Sequence, residues 1–199
     1  MKTKNYFDKE ASFYGEERNV LFLRKVVKRI VQKEKQSIFK CLDVQKGETI
    51  MDAGCGNGDY MKIIKEQGGK PYGLDFSVKM ITELKGKDLE GEVADLERFN
   101  LNKKFDKILC AGALEFVSSP QKVLQNFNLH LKDKGFLVIL YPRISLGGFI
   151  YKIYHLLHGI NITLFSRKSI KKFLHQTGFT PLLLENTGPN CTVLKAKKL

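Results

Sequence analysis

The run Asp52-Ala53-Gly54-Cys55-Gly56-Asn57-Gly58 sets three glycines into five positions, directly after an apolar stretch and directly before an amphipathic one. Glycines at this density let the backbone turn tightly and bring its amides close to a ligand. Turns of this kind hold a dinucleotide, a phosphate or an adenosyl sulfonium. A dinucleotide turn reads G-x-G-x-x-G, whereas here Asp59 stands where the third glycine belongs and the spacing is G-x-G-x-G. A phosphate loop ends in Gly-Lys-Ser/Thr, and no such ending follows. A sulfonium ligand needs no phosphate site, only close backbone and well-placed carboxylates. Asp52 precedes the turn and can help fix an ammonium group. Asp75 closes the next apolar run and can accept from ribose hydroxyls. Asp95 follows a third run and can accept from an adenine amino group, although it reads also as a helix cap or surface acid.

These residues need a frame that brings them to one rim. Val20, Leu23, Val26, Val27, Ile30 and Val31 recur at spacings of three and four, which predicts an amphipathic helix running to about Cys41. After it, Glu48–Gly54 reads as a buried strand and Asp59–Gly68 as a helix closed by glycine. Pro71–Phe76 is a second strand, and Ser77 can cap the helix that follows. Glu90–Leu96 is a third and weaker strand, and Phe105–Gly112 a fourth. Ser119 and Pro120 suit the start of a helix. Gly135–Pro142 is a fifth strand, apolar throughout, as a strand covered on both faces must be. A helix ending at Gly178 precedes two strands separated only by the turn residues 186–190, a spacing that permits a hairpin and forbids a crossover. The expected fold is therefore α/β, a doubly wound Rossmann-like sheet of seven strands, mostly parallel, with a C-terminal antiparallel hairpin. It forms one domain over 1–199, divided into an N-terminal cap and helix (1–45), a ligand-binding core (46–142), an insertion (143–165) and a final helix with hairpin (166–199).

The bulk composition is that of a soluble globular domain, with 43% hydrophobic and 28% charged residues over 199 positions. The net charge of +13 departs from it, with much of the excess in 24–40, 167–172 and the tail at Lys195, Lys197 and Lys198. Such a balance favours anionic partners, unless the lysines are simply solvated helix faces. Four cysteines lie scattered without metal-like spacing, so no metal site is expected and the thiols read as free in a reducing cytoplasm. The first residues lack the apolar core of a signal peptide, and 144–165 is too often interrupted by Gly, Lys, His and Asn to be a membrane span.

With these motifs in order, the chain resembles the class I S-adenosylmethionine-dependent methyltransferases, in their small-molecule and quinone-type branch, along nearly its whole length. "MDAGCGNG" is similar to the family's first motif, "GLDFS" to the acidic end of strand two and "ADLE" to the adenine-side motif. "FDKILCAGALEFV" and "LKDKGFLVILYP" resemble strands four and five, and "FDKEASFYGEE" an N-terminal segment whose tyrosine covers the cofactor. The resemblance implies S-adenosyl-L-methionine as methyl donor, S-adenosyl-L-homocysteine as product, and cofactor contacts from Tyr14, Asp52, Gly54, Gly56, Asn57, Asp75, Phe76, Asp95, Leu96 and Ala111. Met80, one turn into the helix after Phe76, lines the same pocket or is ordinary core.

The acceptor is less legible. The loop "AGALEFVSSP" lacks the Asn/Asp-Pro-Pro-Tyr element of base-amino methylation, and no cysteine follows Pro or Thr as cytosine-C5 chemistry requires, so nucleic acid is the weaker expectation. Residues 143–165 are rich in aromatic and aliphatic side chains, and in related enzymes this region roofs the acceptor. On that reading Phe149, Ile150, Ile153, Leu156 and Leu157 form an apolar wall, and Tyr151, Tyr154, His155 and His158 offer polar handles. The same stretch reads also as packing on the sheet or as a peripheral membrane contact. If a base is needed, His155 and His158 come first and Glu115 next. Tyr14 and Tyr141 are further candidates to orient the acceptor. The expected function is methyl transfer to O, N or C of a small, partly apolar metabolite, quinone-like compound or lipid precursor. RNA or protein methylation over the basic surface, and cofactor binding without chemistry, are the alternatives.

Overall fold

The structure is a computed structural model that describes the backbone of residues 21–199 and side chains from residue 27. The order of elements follows the pattern read from the sequence: α1 (Leu21–Leu42), β1 (Thr49–Ala53), α2 (Asp59–Glu66), β2 (Lys70–Asp75), α3 (Val78–Lys85), β3 (Gly91–Val93), β4 (Phe105–Ala111), a 3-10 turn at Leu114–Phe116, α4 (Pro120–His130), β5 (Leu131–Pro142), α5 (Leu146–Leu157), α6 (Arg167–Gln176), β6 (Phe179–Asn186) and β7 (Cys191–Lys198). The seven strands make one sheet in the order β3-β2-β1-β4-β5-β7-β6. β3 to β5 are joined in parallel through β1, and β7 pairs antiparallel with both β5 and β6.

Strand periodicity divides the core into two faces. Met51, Ile108, Cys110, Leu137, Ile139, Leu194 and Ala196 point to the side covered by α4 and α6, where Phe127, Ile170 and Leu174 are fully buried. Ile50, Leu109, Val138, Leu140 and Val193 point the other way, to Ile38, Cys41 and Leu42 of α1 and Ile64 of α2. Polar partners pin the end of the sheet remote from the glycine turn. Lys107, 4% exposed, donates to Asp43 O (2.6 Å) and lies 2.8 Å from Glu48 Oε2. The expected helix caps are present: the Ser77 hydroxyl accepts from Met80 N and the Ser119 hydroxyl from Lys122 N.

Three details depart from the sequence reading. β5 starts at Leu131 rather than Gly135, because Leu131 pairs with Phe105 before the register shifts around the left-handed Lys134. Among the described side chains of α1, the buried apolar ones lie near its C-terminus, at Ile38, Cys41 and Leu42, while Val27 and Val31 are exposed. A register shift also interrupts β6 between Pro181 and Leu183.

Between β1 and β4 the chain order reverses, and this opens a crevice at the carboxyl ends of the strands. The glycine turn fills it. Gly54 has φ +79°, and a Cβ there would sit 2.4 Å from Ala113 Cβ. Gly54→Ala should therefore cost about 2–4 kcal/mol from overpacking and left-handed strain, lowering the melting temperature by about 5–15 °C. The control Gly47→Ala has φ +85° but nothing within 4 Å, so it should show only the smaller strain cost. Adding Ala113→Gly should restore most of the loss caused by Gly54→Ala, and an unrescued double variant contradicts the packing account.

Candidate active site

The turn is held by its neighbours in β2. Gly54 N and Cys55 N both donate to Leu74 O, at 2.7 and 3.0 Å. Asp75 then accepts from Gly56 N through Oδ2 (3.0 Å) and from Ser77 N through Oδ1 (2.9 Å), joining the turn to the start of α3. Each carboxylate oxygen has a second lone pair and can accept again. At Gly56, φ is +50° and a Cβ would meet nothing within 4 Å, so the turn faces open space there.

That space is a cleft of about 440 Å³. Nine of the residues named from the sequence line it: Gly54, Gly56, Asn57, Asp75, Phe76, Met80, Asp95, Leu96 and Ala111. Asp52 lies behind the turn, 1% exposed, and its Oδ2 has no hydrogen-bond partner. Burial, reinforced by the charge of Asp75, pushes its carboxyl up to about 7. Tyr14 falls outside the described residues. Asp95 stands at the cleft, but its Oδ1 already accepts from Glu97 N (2.9 Å) and its Oδ2 is 3.4 Å from Arg98 Nε, so it also caps its own turn.

Sequence reasoning missed Glu97, which the structure makes a fastener. Its Oε1 accepts from Ser118 N (2.6 Å) and Ser119 N (3.0 Å), tying the segment after β3 to the one after β4. A carboxylate one step past the Asp-Leu pair was visible in "ADLE", but its partners lie 21 and 22 residues away.

The charge of the lining discriminates between ligands. Asp59, Asp75, Asp95 and Glu97 line the cleft, and among the described residues no lysine, arginine or histidine does. This holds in a chain of net charge +13. A polyanion would enter against that field, whereas a ligand carrying ammonium and sulfonium charges is favoured. The unpartnered Asp52 oxygen, the open side of Gly56 and the acidic lining all fit S-adenosyl-L-methionine.

Beyond Ala113 and Phe116 stand the residues expected to serve an acceptor, although Glu115, Tyr151, Tyr154, His155 and His158 do not themselves line the cleft. Glu115, in the 3-10 turn, is 2% exposed and its Oε2 is unpartnered. Burial raises its carboxyl to about 8, and the charge of Glu34 on α1 adds to the shift. His155 on α5 is 6% exposed and boxed by Phe116, Tyr151 and Tyr154, with ring centroids at 5.3, 4.5 and 5.4 Å. Burial holds its imidazole down at about 4, so it is neutral at pH 7. His158 is exposed, with Nδ1 2.8 Å from Tyr154 O.

Six further residues expected at the acceptor point elsewhere. Tyr141 shares the parity of Leu137 and Ile139, so its ring is buried in the core against Phe165 (5.7 Å) and does not line the cleft. Phe149 is 52% exposed, and Ile150, Ile153, Leu156 and Leu157 are more so; none of them lines the cleft. The helical phase of α5 explains this, because Gly148 and His155 occupy its inward side. Among the described residues no cluster of His, Cys, Asp and Glu could hold a metal ion, and no helix is long and apolar enough to cross a membrane.

The buried acids make stability depend on pH. Glu115 keeps its proton in the fold up to about pH 8 but would lose it near 4.5 when unfolded, so its contribution falls as pH rises from 4.5 to 8. His155 acts oppositely, costing stability as pH falls from 6.5 to 4. Glu115→Gln should melt close to the parent at pH 5 and about 5 °C or more above it at pH 8.5. A difference that does not grow with pH would contradict the buried-carboxyl account.

Comparison with known proteins agrees with this geometry. A family model described as a methyltransferase domain matches residues 14–184. An uncharacterized protein of Methanocaldococcus jannaschii is 31% identical over 141 residues, 69% of this chain and 51% of that protein. A malonyl-[acyl-carrier protein] O-methyltransferase of Calditerrivibrio nitroreducens is 27% identical over 69% of this chain and 53% of its own length. A ubiquinone biosynthesis O-methyltransferase of Coxiella burnetii is 24% identical, over 68% and 61%. The chain thus spans about half the length of the curated relatives it matches. Among solved structures, magnesium protoporphyrin IX methyltransferase of Synechocystis PCC 6803 with bound SAH superposes at a TM-score of 0.76, with 21% identity over 99% of this chain and 98% of that one. The chain belongs to the methyltransferase-domain family and carries the class I methyltransferase fold.

Proposed function

We propose that the protein is an S-adenosyl-L-methionine-dependent methyltransferase acting on O, N or C of a small, partly apolar acceptor. The observation that carries this reading is the cleft itself: among the described residues, four carboxylate residues and no basic side chain line it, beside a glycine turn whose open side is at Gly56. The names of the relatives support the acceptor class, since they refer to ubiquinone biosynthesis, malonyl-[acyl-carrier protein] and magnesium protoporphyrin IX.

When bound, the sulfonium supplies an activated methyl group whose C–S electron pair stays on sulfur as the new bond to the acceptor forms. The chain's own part is alignment and proton handling. In this reading Asp75 accepts from the ribose hydroxyls, Asp52 balances the ammonium end, and Phe76, Met80 and Leu96 enclose the adenosine. Ala111 and Gly112 leave room on the acceptor side. An acceptor that carries a proton must give it up, and Glu115 suits this best. A carboxyl titrating near 8 holds a proton far more firmly than the His155 imidazole, depressed to about 4. His155, Tyr151 and Tyr154 then shape the acceptor side.

Titration with S-adenosyl-L-methionine tests the cofactor reading. The ligand should raise the melting temperature. Asp75→Ala should weaken binding about 10- to 100-fold through lost charge-assisted hydrogen bonds. Gly56→Ala should cost about 1 kcal/mol of stability and weaken binding at least about 10-fold, because its methyl enters the cleft. Saturating ligand without any shift would refute the proposal. For the base, Glu115→Gln should lower kcat more than about 100-fold with cofactor affinity preserved. The parent's rate should rise with pH toward 8, the proton-free form being the active one. A flat profile in the parent, or full turnover in Glu115→Gln, would remove Glu115 from this role.

A further inference from the structure

Helix α5 is amphipathic in the reverse sense. In an ordinary surface helix the apolar stripe faces the core. Here Leu146 (80% exposed), Phe149, Ile150 (62%), Ile153, Leu156 and Leu157 (80%) fall on the outward side, at spacings of three and four, and Ile144 continues the stripe. Seven large apolar side chains on one turn and helix form a patch of the kind that marks a docking surface.

The surroundings say what docks. Between Asp133 and Glu185 the sequence holds no acidic residue, yet it holds Lys134, Arg143, Lys152, Arg167, Lys168, Lys171 and Lys172. The fold brings the two ends of this basic stretch together. Ile144 N donates to Phe165 O (3.1 Å) and Phe165 N to Pro142 O (3.0 Å), so α5 and α6 start side by side. The exposed Arg167, Lys168, Lys171 and Lys172 of α6 therefore follow from a point beside the start of the apolar stripe. On the other flank, Gly147 packs on Pro189 and Gly188 on Ile30 of α1. This adds the exposed Val27 and Val31 with Lys28, Arg29 and Lys33.

An apolar stripe bordered by cations, within a stretch (134–184) that holds no acidic residue, is complementary to an anionic lipid surface, with acyl chains under the stripe and headgroup phosphates beside the lysines. We propose that α5, flanked by α6 and by residues 27–33 of α1, seats the enzyme peripherally on anionic membrane. This goes beyond methyl transfer and does not depend on it.

Vesicles test it. The chain contains no tryptophan, so Phe149→Trp introduces a single tryptophan into the stripe. The full chain should co-sediment with vesicles of phosphatidylglycerol and phosphatidylcholine, at least tenfold more than with phosphatidylcholine alone, and added salt should weaken this. The Phe149→Trp emission should shift to the blue on binding. Ile150→Ser with Ile153→Ser, and separately Lys168→Glu with Lys171→Glu, should each reduce association at least tenfold while the melting temperature holds. Several results would overturn the proposal: no association with anionic vesicles at low salt, association unchanged in both double variants, or no blue shift in the bound Phe149→Trp protein. A dimer that Ile150→Ser with Ile153→Ser converts to monomer would assign the stripe to a second copy instead. Preferential salt-sensitive binding of RNA over anionic vesicles would assign the cations to nucleic acid. The cofactor-induced rise in melting temperature reads out the methyltransferase proposal separately.

Discussion

One carbonyl oxygen organises the site. Leu74 O accepts the amides of Gly54 and Cys55 together, at the end of the strand beside β1. That pairing bends the chain out of the sheet within two residues, which only a left-handed backbone at Gly54 allows. It also places Gly56 N on the Asp75 carboxylate, so the turn and the acid that would meet the ligand are fixed by one another. The loop after β4 then closes against Gly54 through Ala113, with no room for even a methyl group between them. Disturbing any of these contacts moves both walls of the cleft.

Much of this was legible in the sequence because local chemistry and global fold agree along the chain. Ser77, Ser119 with Pro120, and Gly178 mark helix ends by side-chain and backbone rules that need no tertiary knowledge. The cofactor rim was readable for a similar reason: Asp52, Asp75 and Asp95 follow apolar runs, and a parallel sheet brings the ends of such runs to one side. What failed to show were properties set by contacts distant in sequence. Glu97 binds two amides beyond the next strand, and nothing in its neighbours signals them. Tyr141 and Phe149 turn away from the cleft because strand parity and helical phase fix their directions. Helical spacing on α5 identified a stripe but not the side it faces, since periodicity carries no sign. The rule that apolar means inward supplied the wrong one.

The distribution of charge gives the protein two electrostatic faces. Acids collect at the cleft while cations cover α1 and α6, so the large positive total says little about the ligand in the crevice. Charge counted over a whole chain can thus have the opposite sign to the field at its binding site, and lining residues are the better guide. The buried carboxyls extend the contrast. Asp52 and Glu115 flank the segment where the sheet order reverses, both held toward their protonated forms by burial.

The outer edge of the sheet has its own consequence. Among the described residues β6 leaves one rim unpaired, and Leu182 and Leu183 stand exposed on it. An uninterrupted strand of that composition would invite another strand to add, the route to fibrous aggregation. Pro181 carries no amide hydrogen, and the register shift after it throws the ladder out of step. The opposite rim, β3, is only three residues long. The molecule therefore keeps a continuous central sheet while offering strangers no continuous edge to extend.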